Sequence, residues 1–98
     1  AIGTLERALI APIDDVTSAY YLNLEVDDRS GVLAAVAAVF GEHGVSIRSM
    51  EQEGLGSEAR LVFITHDACE RDVRATLTEL RSLEAVRAVG SVLRVIGN

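Results

Sequence analysis

The chain has 98 residues, enough for one small core and too few for an enzyme with separate cofactor and substrate lobes. Hydrophobic residues make up 49% and charged residues 24%, the balance of a folded domain rather than of a disordered segment. The net charge is −6 and the basic residues are scattered arginines, with no apolar run of about 18 residues, so neither nucleic acid nor a membrane is an expected partner.

Residues 1–19 lack a clean strand period, and Pro12 with Asp14 and Asp15 marks a turn or an extended passage. They are expected to form an N-terminal arm or linker, leaving residues 20–98 as the domain proper. In residues 20–26, Tyr20, Leu22, Leu24 and Val26 alternate with Tyr21, Asn23 and Glu25, the pattern of a half-buried strand. Residues 27–31 then turn the chain. From residue 32 the apolar positions Val32, Leu33, Val36, Val39 and Phe40 recur at steps of three and four, predicting an amphipathic helix. Asp28 or Ser30 is the expected N-cap, and Gly44 the left-handed stop after His43.

Residues 45–53 begin with strand alternation at Val45 and Ile47 and lose phase near Ser49 and Met50, as an edge strand with a bulge would. A glycine-containing turn at 54–57 leads to a strand at 59–65. Its unbroken run Leu61, Val62, Phe63, Ile64 predicts a central strand covered on both faces. Residues 69–83 form a second predicted helix with Val73, Leu77 and Leu80 inward, Arg71, Arg74 and Arg81 outward, and Asp67 with Glu70 as a capping pair. A last strand is expected at 86–96, with Arg87 and Arg94 toward solvent. The order βαββαβ predicts an α+β fold, a ferredoxin-like sandwich with a four-stranded antiparallel sheet and both helices on one face. The uncovered face carries Tyr21, Met50 and apolar residues of the third strand, so a partner is expected there.

Catalysis finds little support. The two histidines, His43 at a helix end and His66 at a strand end, come with no nucleophile motif, and no acid, base and nucleophile converge. His66 and Cys69 supply two ligands where a metal site needs more, so neither a metal nor a cofactor is expected. The single cysteine forms no internal disulfide, and the N-terminal residues do not resemble a secretory signal; both favour a cytoplasmic domain.

The informative stretch is the turn at 27–33. Gly31 permits a ligand to approach the backbone closely, and the first amides of the helix, at Val32 and Leu33, suit a carboxylate. Asp28 beside them suits an ammonium group. These groups together complement a free amino acid, although the same residues could serve only to cap a helix.

The residues Asp27-Asp28-Arg29-Ser30-Gly31-Val32-Leu33, followed after an apolar helix by Gly44-Val45-Ser46-Ile47 and a strand hairpin, resemble the ACT domain, a small ligand-sensing module of enzymes of amino-acid metabolism. The resemblance covers residues 20–95. Residues 44–54 and the ending Ser91-Val92-Leu93-Arg94-Val95 are most similar to the C-terminal regulatory domain of homoserine dehydrogenase. The resemblance implies a feedback sensor without chemistry of its own, with threonine the favoured effector and an NAD(P)-dependent catalytic domain in the parent chain. It also implies side-by-side self-association through edge strands, as a homodimer or larger assembly, with the amino acid at the junction. Carried onto this sequence, the ligand-binding residues are Asp28, Ser30, Gly31, Val32 and Leu33 in the turn and Ser46 and Ile47 in the facing strand. Ser30 stands where the family commonly has proline, which keeps a capping hydroxyl and loosens the turn. The other readings are a dimerisation module that binds no ligand and a sensor belonging to another amino-acid biosynthetic enzyme.

Overall fold

A computed structural model describes residues 17–95, apart from the side chain of Leu55. The elements run β1 (Thr17–Asp27), α1 (Val32–Glu42), β2 (Ile47–Leu55), β3 (Glu58–Thr65), β4 (Ala68–Cys69), α2 (Glu70–Ser82) and β5 (Val86–Val95). Most of the expected arm, residues 1–16, lies outside the described residues, as does Ile96. Thr17, Ser18 and Ala19 belong to β1, so the first strand starts three residues earlier than its alternation suggested.

The sheet is antiparallel, with β1 paired to β3 on one side and to β5 on the other, and β2 on the outer edge of β3. Among the described residues it has five strands rather than four, but the extra strand adds no lane. From Tyr21↔Ile64 to Ser18↔Ala68 the register advances three residues on β1 and four on its partner, so β4 resumes the lane of β3 after a one-residue bulge. At that break the Tyr20 amide donates to Thr65 Oγ1 at 3.0 Å, which satisfies a hydroxyl buried with no solvent contact.

Tyr20, Leu22, Leu24 and Val26 of β1 join Ala59, Leu61 and Phe63 of β3 on the face that the helices cover. From α1 come Val32, Val36, Val39 and Phe40, and from α2 Val73 and Leu80. The rings of Phe40 and Phe63 stack obliquely, their centroids 4.9 Å apart. Burying a side chain of this size contributes about 1.5–3 kcal/mol, so this layer dominates stability.

Five expectations are corrected here. Met50 does not lie on the open face, because the bulge in β2 turns it toward the helices, opposite buried Phe63. Leu33 lies off the core stripe and is 38% exposed. Neither Asp28 nor Ser30 caps α1, because Gly31 occupies the N-cap in the left-handed region, at φ 84°, with no side-chain cap bond. Asp67 and Glu70 form no capping pair, since Cys69 is the N-cap of α2 and makes no side-chain cap bond. Strand β3 is central but buried on one face only; Val62 and Ile64, on the other, are half-buried.

The end of α1 is as predicted. Gly44 adopts φ 71°, its amide bonds Gly41 O at 3.1 Å, and the Val45 amide bonds Phe40 O at 2.9 Å, together a Schellman motif. The expected bulge in β2 is also present, between Ile47 and Ser49. Arg87 and Arg94 are exposed, each paired with a carboxylate.

Candidate functional site: the turn between β1 and α1

Backbone bonds from two sides fix the turn. The Asp27 amide donates to Ala85 O at 2.9 Å and the Asp28 amide to Ser57 O at 3.1 Å, so the α2–β5 and β2–β3 connections both clamp it. The left-handed Gly31 then starts α1, with the Ala35 amide reaching back to Gly31 O at 3.0 Å. Val32 N makes a long 3.4 Å bond to Arg29 O, so its amide is partly engaged within the turn. The amides of Leu33 and Ala34 precede the first full helical bond and have no intrahelical acceptor. The first turn of α1 holds no acidic side chain to offset the positive end of the dipole.

Asp28, Ser30, Gly31, Val32 and Leu33 line one cleft of about 230 Å³, with Gln52 of β2 and Ala59 and Leu61 of β3 as its far wall. The cleft is thus polar at the turn and apolar at its base. A second cleft, of about 300 Å³, opens on the other side of the same turn, against Leu83, Glu84 and Ala85. Arg29 borders both. Beside it, Asp27 accepts from Arg87 Nε at 2.5 Å and from Arg29 Nε at 3.4 Å. The Arg87 hydrogen bond, reinforced by both guanidinium charges, holds the Asp27 carboxyl below its usual range despite partial desolvation.

Ser46 and Ile47 are not in this cleft. Ile47 pairs with Thr65 and Gln52 with Leu61, so the start of β2 lies roughly 16 Å along the strand from the residue that reaches the turn. Within one copy, the two groups of predicted ligand residues sit toward opposite ends of the sheet. Gln52 was not anticipated from the sequence, and its amide is the polar group that β2 presents to the turn.

A further cleft, of about 430 Å³, lies between α2 and β5 over Val73, Leu77 and Val92. Its polar rim is internally paired: Glu70 accepts from Arg94 at 2.6 Å, Arg74 at 3.0 Å and the Tyr20 hydroxyl at 3.3 Å. Those bonds, Arg94 foremost, hold the Glu70 carboxyl below its ordinary value. The arrangement locks α2 to the sheet.

Among the described residues, no helix is long and apolar enough to cross a membrane. The chain is similar to homoserine dehydrogenase of Corynebacterium glutamicum, 41% identical over 93 residues that cover 95% of this chain and 21% of that protein. It is 40% identical over 88 residues to the homoserine dehydrogenase of Synechocystis, covering 89% of this chain and 20% of the relative. The chain therefore spans about a fifth of the length of the curated relatives it matches. The crystal structure of a homoserine dehydrogenase from Thiobacillus denitrificans superposes with a TM-score of 0.73 at 32% identity, over 87% of this chain and 18% of that one. The ACT domain of GTP pyrophosphokinase from Chlorobium tepidum shares the fold, with a TM-score of 0.62 at 12% identity over 82% of this chain and all of the other. The ACT domain pattern itself matches residues 20–85, from the first core tyrosine of β1 to the residue that clamps the turn, and the chain belongs to the ACT domain family.

Proposed function

We propose that this chain is the amino-acid-sensing regulatory domain of a homoserine dehydrogenase, with threonine as its effector. The observation that carries the reading is the turn. It offers the first amides of α1 at a left-handed glycine, beside an exposed carboxylate at Asp28, over a cleft walled by Gln52. Amides at the positive end of a helix suit a carboxylate, and Asp28 suits an ammonium group. An amide side chain on the far wall can bond a hydroxyl such as that of threonine. Similarity to homoserine dehydrogenases over nearly the whole chain supports the parent enzyme, in which an NAD(P)-dependent catalytic domain would occupy the remaining length.

The separation of Ser46 and Ile47 from the turn favours a site completed by a second copy. Among the described residues β2 is an edge strand with one side unpaired. Antiparallel pairing of two β2 edges about a two-fold axis reverses one strand against the other. It sets Ser46 and Ile47 of the second copy near residues 52–55 of the first, beside the turn. Asp28, Ser30, Gly31, Val32 and Leu33 then come from one domain and Ser46 and Ile47 from its neighbour, as a homodimer joined through edge strands.

Isothermal titration with a panel of amino acids, run alongside sedimentation velocity, tests the proposal. Threonine is expected to bind in preference to its isostere valine and to raise the dimer fraction, because a ligand held by two chains stabilises their assembly by mass action. A dimer indifferent to every amino acid would instead identify a dimerisation module. Binding of another amino acid in threonine's place would assign the domain to a different biosynthetic enzyme.

A further inference from the structure

At the opposite end of α1 from the turn, three side chains of metal-ligand type converge. Glu42 is the last residue of α1, His43 is its C-cap, and Glu79 projects from the neighbouring α2. One ligand atom from each, the imidazole nitrogen and two carboxylate oxygens, lies within 4.8 Å of the others. His43 Nε2 and Glu79 Oε1 are 2.8 Å apart.

The geometry points to a site for a zinc-class divalent cation, held by His43, Glu42 and Glu79, with solvent completing its coordination. The donors decide the class of ion. One imidazole and two carboxylates suit zinc, cobalt or nickel, whereas calcium and magnesium favour all-oxygen donor sets and gain little from the imidazole nitrogen. The backbone that carries two of the donors is fixed in advance. His43 N bonds Val39 O at 3.4 Å and Phe40 O at 3.2 Å, and the Schellman motif at Gly44 and Val45 closes the helix directly behind it.

Electrostatics favours a cation as well. The carbonyl end of α1 carries the negative pole of the dipole, and its last turn contains no basic residue. Glu42 and Glu79 bring two carboxyl groups together beside that pole, and a divalent ion would neutralise both charges. Glu79 and His43 are half-buried and Glu42 is exposed, so an ion can enter from solvent.

The test is titration of the 98-residue chain with Zn²⁺ by calorimetry, in a weakly coordinating buffer free of amino acids, with Mg²⁺ as control and Co²⁺ absorption as a readout of the donors. The expected result is one saturable Zn²⁺ site, no Mg²⁺ binding, and a Co²⁺ spectrum without a thiolate band. Removal of a ligand should cost roughly tenfold or more in affinity, since even the loss of a supporting partner costs that much. His43→Ala and Glu79→Gln should both show it, and Cys69→Ser should bind like the parent. Glu79→Gln changes one helix-surface group, so it keeps the test decisive if His43→Ala loosens the helix end. The proposal is overturned by absence of saturable binding, by binding that Glu79→Gln leaves unchanged, or by a thiolate band assigning the metal to Cys69.

Discussion

Arg87 at the start of β5 donates to Asp27 at the end of β1, Nε to Oδ1, at 2.5 Å, and so braces the sheet beside the turn. Because the folded Asp27 carboxyl titrates below its unfolded value, the ion pair stabilises the fold above the ordinary carboxylate range and loses that contribution as pH falls through the folded pKa. Glu70, depressed chiefly by Arg94, acts in the same direction. Urea denaturation at stepped pH should therefore show stability falling below about pH 4. Asp27→Asn or Arg87→Ala should flatten that acid limb; an unchanged limb in both would mean that the pair contributes nothing.

Gly31 isolates a conformational effect from a steric one. A Cβ there would meet nothing within 4 Å, yet φ is +84°, so a substitution is opposed by backbone strain alone. Gly31→Ala is expected to lower stability by about 1–2 kcal/mol, and Gly31→Asn by less, because asparagine tolerates the left-handed region. Thermal melts of the two variants check the ranking. Both should still fold, which leaves any loss of amino-acid response readable.

Gly90 presents the opposite case. A Cβ at this position would overlap the carbonyl oxygen of the Asn23 side chain, which lies across β5 where its pairing with β1 shifts register. Gly90→Ala should destabilise by about 1 kcal/mol, a typical cost for a point substitution. In the Asn23→Ala background the same change should cost little. A double-mutant cycle measures the coupling directly, and additive effects would show that the side chain is not the obstacle.

Core depth should separate two leucines on paired strands. Leu24 has no solvent exposure and Leu93 is 58% exposed. Leu24→Ala is expected to cost about 2–5 kcal/mol, whereas Leu93→Ala should stay within about 0.5 kcal/mol for an isolated chain. A larger effect at Leu93 that grows with protein concentration would reveal that the open sheet face is covered in solution.

Periodicity was sufficient for β1 and α2 because alternation in the one and three-and-four spacing in the other each match one buried face. In β3 the unbroken apolar run located the strand but hid that only one of its faces is buried. Periodicity failed at Leu33, since Ala34, Ala35, Ala37 and Ala38 make α1 apolar on nearly every side and leave the phase of its stripe loose. The expected caps at Asp28 and Ser30 failed for a different reason: a left-handed glycine at the N-cap needs no side-chain acceptor to enter the helix. Gln52 was hidden by the bulge. Strict alternation from Ile47 would put Ser49 and Glu51 on the helix face, but the shift between Ile47 and Ser49 puts Met50 and Gln52 there, opposite buried Phe63 and Leu61. The turn itself was legible, because Asp28, Ser30, Gly31, Val32 and Leu33 are contiguous and one cleft contains them all.

The central position of β1 sets an order of events for the chain. Its two long neighbours, β3 and β5, are made later, and the Ser18 hydroxyl donates to Val95 O across 77 residues. A nascent chain carries β1 with both edges open until the hairpin of β2 and β3 forms, and with one edge open until β5 is made. Closing so distant a pair costs loop entropy before any contact repays it, which makes folding slower than in a helical bundle of the same length. A ribosome-bound chain halted before Val86 would expose one side of its own central strand to any other strand in reach.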